Sequence, residues 1–220
     1  VSTSGGSTRF SDASNAVALN TTVNAINDRP TGANATLAAI NEDDTNPAGA
    51  TVTALGFGYS DAIDNQSAIS GGGNTAAAVI GGIAIVGNAA SPATEGIWQF
   101  KPSSGSWTPI GSGGNSPTDA AAIILPTNAS LRFVPNANYN GTPGTLSVRV
   151  ADTTQTLSPS TDISSNLGAT NTWSSTVTLG ITVNKRNDAP TLTHTATNPA
   201  VTENSSTAGA VSIDLSLIHI

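Results

Sequence analysis

The chain of 220 residues has no cysteine and no methionine, and only 4% of it is aromatic and 10% charged. Each shortage excludes something. Without cysteine there is no disulfide framework and no thiolate chemistry, redox or metal-binding. Charge far below the roughly 25% of an average soluble domain argues against a charged disordered tail, a coiled coil and an ion-paired helical bundle. No apolar run approaches the 18 or so residues of a membrane span, and no charged start followed by an apolar stretch marks a signal peptide. The lack of methionine makes the chain read as a piece of something longer. Of the charges present, 14 are acidic and 7 basic, a net of −7. Such a surface repels phosphate backbones and anionic lipid and attracts cations, so neither nucleic acid nor direct membrane insertion is expected.

Uncharged polar residues, chiefly Thr, Ser and Asn, supply the solubility, and Ala, Val, Ile and Leu remain for a core. The most informative feature is an internal repeat. Residues 23–31 read Val23-Asn24-Ala25-Ile26-Asn27-Asp28-Arg29-Pro30-Thr31. Residues 183–191 read Val183-Asn184-Lys185-Arg186-Asn187-Asp188-Ala189-Pro190-Thr191, 160 positions later. The register extends to Val17 against Val177, Leu19 against Leu179 and Ala48-Gly49-Ala50 against Ala208-Gly209-Ala210. Glu42 and Glu203 correspond after a one-residue shift. The chain is thus expected to hold the closing strand of one repeat (1–26), a complete repeat (27–186) and the opening of the next (187–220). Units of such an array contact mainly their neighbours.

Within the complete repeat, short β-branched or alternating runs predict strands at 51–59, 79–86, 97–100, 122–125, 131–134, 146–150 and 176–183. Gly-, Ser- and Asn-rich turns separate them. About seven strands without helical spacing predict an all-β antiparallel sandwich. The Ala- and Gly-rich stretch 65–95 is a candidate insertion. With so few large rings available, Trp98, Phe100, Trp107 and Trp173 are expected in the core, the alternative being a sugar-stacking platform at Trp98 and Phe100.

Carboxylates are scarce, so their placement is informative. Asp28, Glu42, Asp61, Asp64, Asp152, Asp188 and Glu203 all fall at run ends or in linkers. Strand ends gather at the poles of a sandwich, where carboxylates and Asn carbonyls are the hard oxygen ligands that Ca²⁺ requires, about six to eight of them. The competing reading of each residue is a plain turn former. No nucleophile motif accompanies His194 or His219, and Gly71-Gly72-Gly73 lacks the Lys and Ser or Thr of a phosphate loop, so an enzyme is not expected.

The segment Leu146-Ser147-Val148-Arg149-Val150-Ala151-Asp152, the run 175–183 and the linker Asn187-Asp188-Ala189-Pro190 together resemble the end of a cadherin repeat. Gly96-Ile97-Trp98-Gln99-Phe100, Trp107 and Leu131 through Asn138-Tyr139-Asn140-Gly141 look like the cadherin-like tandem repeats of large bacterial surface proteins and biofilm adhesins. The resemblance implies a Greek-key sandwich and a non-enzymatic, Ca²⁺-stiffened extender contributing to cell adhesion outside a bacterial cell. Its partners are neighbouring repeats, with surface ligands or homotypic contacts open. The alternative is a carbohydrate- or ligand-binding module of the same array. By resemblance, Asp61, Asp64 and Asp152 are upper-pole ligands, with Asn27 and Asp28 from the linker. Glu42, Asn187 and Asp188, with Asp119 as a further candidate, belong to the lower pole. The pattern departs at Ala25 and Lys185, where the family's linker carries an acidic residue, and at Arg29 and Ala189, where it carries Asn.

Overall fold

The computed structural model describes residues 21, 28–64, 79–111, 116–152, 162–168 and 172–189. Among them the secondary structure is almost entirely strand: β1 (Ala35–Thr36), β2 (Ile40–Asn41), β3 (Ala50–Thr51), β4 (Ile80–Asn88), β5 (Gly96–Lys101), β6 (Thr108–Pro109), β7 (Ile123–Pro126), β8 (Ser130–Pro135), β9 (Leu146–Asp152), β10 (Val177–Gly180) and β11 (Val183–Asn184). One four-residue helix, α1 (Val52–Leu55), and a 3₁₀ turn at Ser164–Asn166 complete the list. No helix among the described residues is long and apolar enough to cross a membrane. The chain is an all-β protein.

The strands form a five-stranded sheet ordered β1-β10-β9-β4-β7, a four-stranded sheet ordered β3-β8-β5-β6 and a pair β11-β2. Alternation decides which side chains meet. Leu146, Val148 and Val150 of β9 and Ile83 and Ile85 of β4 share one buried cluster with Trp98, Leu131 and Phe133 of the other sheet. The Trp98 and Phe133 rings pack edge to face, with centroids 5.3 Å apart. The indole N–H donates to the Gly144 carbonyl at 2.8 Å, so the largest core side chain buries no unpaired donor. A second buried cluster of Ala84, Ala122, Ala151, Ile163 and Trp173 draws on the small side chains of β4 and β9 that alternate with the first set.

Six of the seven predicted strand regions are mainly strand, and the departures have local causes. At 51–59 only Thr51 remains in a strand. Its hydroxyl accepts from the Ala54 N–H (3.1 Å) and caps α1, while Gly56 at φ +60° ends the helix. That turn places Val52 and Phe57, both fully buried, into the core. The run 176–183 breaks at residues 181–182 between two sheets. The insertion expected at 65–95 is corrected for its described part: β4 is an inner strand of the largest sheet, and its Gly and Ala residues permit close packing. A Cβ on Gly87 would stand 3.0 Å from the Ser147 Cβ. Residues 65–78 lie outside the described residues.

The sheets are mixed, where antiparallel pairing alone was predicted. β1 runs parallel to β10 (Ala35 against Leu179) and β2 parallel to β11 (Ile40 against Val183). First and last strands running in one direction bring the chain in at one end of the unit and out at the other. Neither pair could be joined by a hairpin, because parallel neighbours need a crossover. Here the whole intervening domain is the crossover.

Candidate functional site

Chain order and strand direction create two poles. At the upper one, where the chain enters, Thr31 bridges to Ser60, and the neighbouring Asp61 senses the charge of Asp152 at the C-terminal end of β9. Four of the sequence-predicted ligands converge here. The Asp28 main-chain N–H donates to both carboxylate oxygens of Asp64, at 3.1 and 3.2 Å. Asp61 is 4% exposed and Asp152 fully buried. The Tyr59 hydroxyl reaches Asp61 Oδ2 at 3.4 Å, whereas the buried Asp61 Oδ1 has no hydrogen-bond partner.

The charges of these groups are felt at Asp61 and Tyr59. Burial pushes the Asp61 carboxyl above its usual range, and the charges of Asp64 and Asp152, then of Asp28, push it further against the opposing Tyr59 hydrogen bond. Burial, followed by the charges of Asp61 and Asp152, likewise raises the Tyr59 hydroxyl. A proton or another cation is what such a group of negative charges favours. Among the described residues no three acidic or His side chains close into a ready metal shell. The carboxylates sense one another, yet they stand as mutually repelling charges. Beside them a cleft of about 410 Å³ is lined by Asp28, Arg29, Pro30 and Ile63, the last 66% exposed. Asn27 lies outside the described residues.

The lower pole, where the chain leaves, uses its carboxylate differently. Glu42 is 5% exposed. One of its oxygens accepts from the main-chain N–H of Arg186, and the other accepts from Asn140 Nδ2 at 2.8 Å. Both oxygens are thus engaged by N–H donors. Asn187 is exposed, and its amide donates to the Asp188 main-chain carbonyl at 3.3 Å. Asp44 Oδ1 accepts from the Asn46 N–H (3.1 Å), as a turn former does, while Asp43 Oδ1 accepts from the Asn138 N–H (2.9 Å), 95 residues along the chain. Asp119 pairs bidentately with Arg149 of β9 at 2.8 and 3.0 Å.

Of the aromatic residues expected in the core, Trp98 and Trp173 are buried and Phe100 packs partly against it. Trp107 is corrected. It is half-buried outside both clusters, with the Arg132 guanidinium 4.2 Å and Lys101 Nζ 5.1 Å from its ring centroid. Arg132 is the residue that sequence reasoning missed. It is 8% exposed and is held by Gln99 Oε1, Asn46 Oδ1 and the Pro47 carbonyl. Its signal was present: residue 132 alternates with Leu131 and Phe133, so it must stand on the opposite face of β8.

The strands and sheets define an all-β protein with an acidic pole at the entering linker. No protein family, no curated protein and no solved structure matches this chain.

Proposed function

We propose that this chain is a non-enzymatic extender repeat, a Greek-key β-sandwich of cadherin-like type in a large extracellular bacterial adhesin, and that Ca²⁺ stiffens its upper joint. The single observation that carries the calcium reading is the buried Asp61 Oδ1, unpartnered and set among the charges of Asp28, Asp64 and Asp152 beside the linker. A dry carboxylate oxygen without a donor is costly, and a hard cation offsets that cost. Asp61, Asp64 and Asp152 would hold the ion by drawing together, since as they stand they do not close into a metal shell, and Asp28 would tie the linker to it. Bound Ca²⁺ supplies positive charge without a preferred bond direction. Asp64, already fixed to the Asp28 N–H, positions the linker against the repeat. Parallel first and last strands support the extender reading, because they send the chain onward rather than back. Asn187 and Asp188 remain proposed ligands for the corresponding joint with the next repeat.

Thermal melting tests this reading. A ligand that binds only the folded form adds about 2.7 kcal/mol at a hundredfold excess over its dissociation constant. The melting temperature is expected to rise with Ca²⁺ and fall with chelator; identical melts would remove the calcium reading. The position of Trp107 favours a second reading, a ligand-binding module, because an indole outside the core is open to stacking. Acrylamide quenching relieved by a particular sugar would promote it.

A further inference from the structure

The sequence contains one Asn-Gly pair, Asn140-Gly141. A glycine after asparagine puts no Cβ in the way of its own main-chain nitrogen, the atom that can attack the asparagine side-chain amide. The fold calls for glycine here: residue 141 sits at φ +130°, a conformation that L side chains rarely adopt. Both residues are exposed, so water reaches them. Yet both reacting groups are engaged. The Gly141 N–H donates to the Val183 carbonyl at 2.9 Å, and the Val183 N–H returns a bond to the Gly141 carbonyl at 2.8 Å. Asn140 Nδ2 donates to Glu42 Oε2 at 2.8 Å, while the other Glu42 oxygen accepts from the Arg186 N–H. The exit strand β11 therefore holds the nucleophile, and Glu42, itself bonded to the exit linker, holds the amide. Reaction between them needs a geometry that these bonds withhold.

We propose that Asn140 is a site of spontaneous deamidation, opened when β11 lifts from Gly141, and that the modified residue keeps the exit linker from closing again. On release, the Gly141 nitrogen forms a bond to Asn140 Cγ and the bond from Cγ to Nδ2 breaks. Ammonia leaves, carrying the proton that the Gly141 nitrogen gives up. Water then opens the cyclic imide at either carbonyl, leaving aspartate or isoaspartate. No oxidant or reductant is needed. Either product carries a carboxylate in place of the amide that donated to Glu42. Glu42 Oε2 loses its donor and gains a like charge as neighbour, and the same carboxylate is the acceptor that anchors Arg186. The change runs one way, so it records the time the exit strand has spent detached. Neither calcium nor a neighbouring repeat enters this chemistry.

Peptide mapping by mass on the 220-residue chain, held at mildly alkaline pH with and without urea, tests it. In urea the peptide containing Asn140 should gain the mass of an amide-to-acid exchange. In the folded chain it should convert at least about tenfold more slowly, the factor that one hydrogen bond to a charged group is worth when local opening limits the reaction. Glu42→Ala should speed conversion in the folded chain. Asn140→Asp, which is the aspartate product itself, should lower hydrogen-exchange protection of the Arg186 amide about tenfold or more. Its effect should exceed that of Asn140→Ala, which removes the donor without adding charge. Unchanged protection of the β9 amides in both variants separates release of the linker from loss of the fold, and the wild-type mapping needs no variant. Conversion as fast in the folded chain as in urea, no conversion in urea, no acceleration in Glu42→Ala, or an Arg186 amide as protected in Asn140→Asp as in the wild type overturns the inference.

Discussion

The two poles use the same kind of group under opposite conditions. At the lower pole Glu42 is buried with a donor on each carboxylate oxygen, and the linker backbone is one of those donors. At the upper pole Asp61 is as deeply buried, yet its nearest charged neighbours are other carboxylates and one of its oxygens has no donor. Burial alone therefore does not define a cation site. The number of N–H and O–H donors within reach does: a saturated carboxylate is a structural clamp, and an unsaturated one among like charges attracts cations.

The largest expected effect abolishes the contrast altogether. Trp98→Ala opens the core that spans both poles, with an expected cost of about 3–5 kcal/mol; chemical denaturation should show it equally with Ca²⁺ and with chelator. Next comes Glu42→Ala, which strands the Arg186 N–H and the Asn140 amide. A loss of about 1–3 kcal/mol is expected, again independent of calcium. Sensitivity of that loss to calcium would erase the difference between the poles.

The response to pH sharpens the comparison through its sign. The folded-state pKa of Asp61 is raised above its ordinary value of 3.8. The folded form therefore binds the proton more tightly than the unfolded form, and this group's stability contribution is present at low pH and lost as pH rises through the folded pKa. In chelator, mild acidification from neutral pH should raise the melting temperature, and Asp61→Asn should flatten that trend. Saturating Ca²⁺ should weaken or reverse it, because protons then compete with the ion. Trp107→Ala, at a residue that touches none of the carboxylates Asp61, Asp64, Asp152 or Glu42 by hydrogen bond, gives the smallest effect. It removes two cation–π contacts worth about 0.5–1 kcal/mol each at exposed sites, and the calcium response should be unchanged.

Much of the fold was legible because alternation reports burial directly. Leu146, Val148 and Val150, or Leu131 and Phe133, cannot be read otherwise. The two-residue strands β1, β2 and β6 were not legible, since a pairing that short leaves no period in the sequence. The helical turn after Thr51 was masked by a β-branched run whose capping hydroxyl and following Gly56 matter only once Phe57 has a core to enter. At the site, the grouping of Asp28, Asp61, Asp64 and Asp152 at one pole came from the family resemblance, whereas the sequence pattern itself showed only that the carboxylates fall at run ends and in linkers. The engagement of Glu42 came from neither, because its partners Asn140 and Arg186 are 98 and 144 residues away. Sequence spacing shows where carboxylates fall and leaves open which donors meet them. Trp107 was misplaced for a related reason: scarcity of rings suggested the core, while the buried arginine on the outer face of β8 supplied an alternative partner.

Calcium binding to the wild-type chain and to Asp61→Asn, followed by titration calorimetry at neutral pH, separates the poles most directly. The substitution keeps the shape and the Tyr59 contact but removes one negative charge from the unsaturated site. Saturable binding to the wild type is expected, weakened in Asp61→Asn by at least the roughly tenfold that loss of even an outer-shell partner costs a metal site, and unchanged in Glu42→Gln. Equal affinity in wild type and Asp61→Asn, or loss of binding in Glu42→Gln alone, would contradict the assignment of the cation to the upper pole.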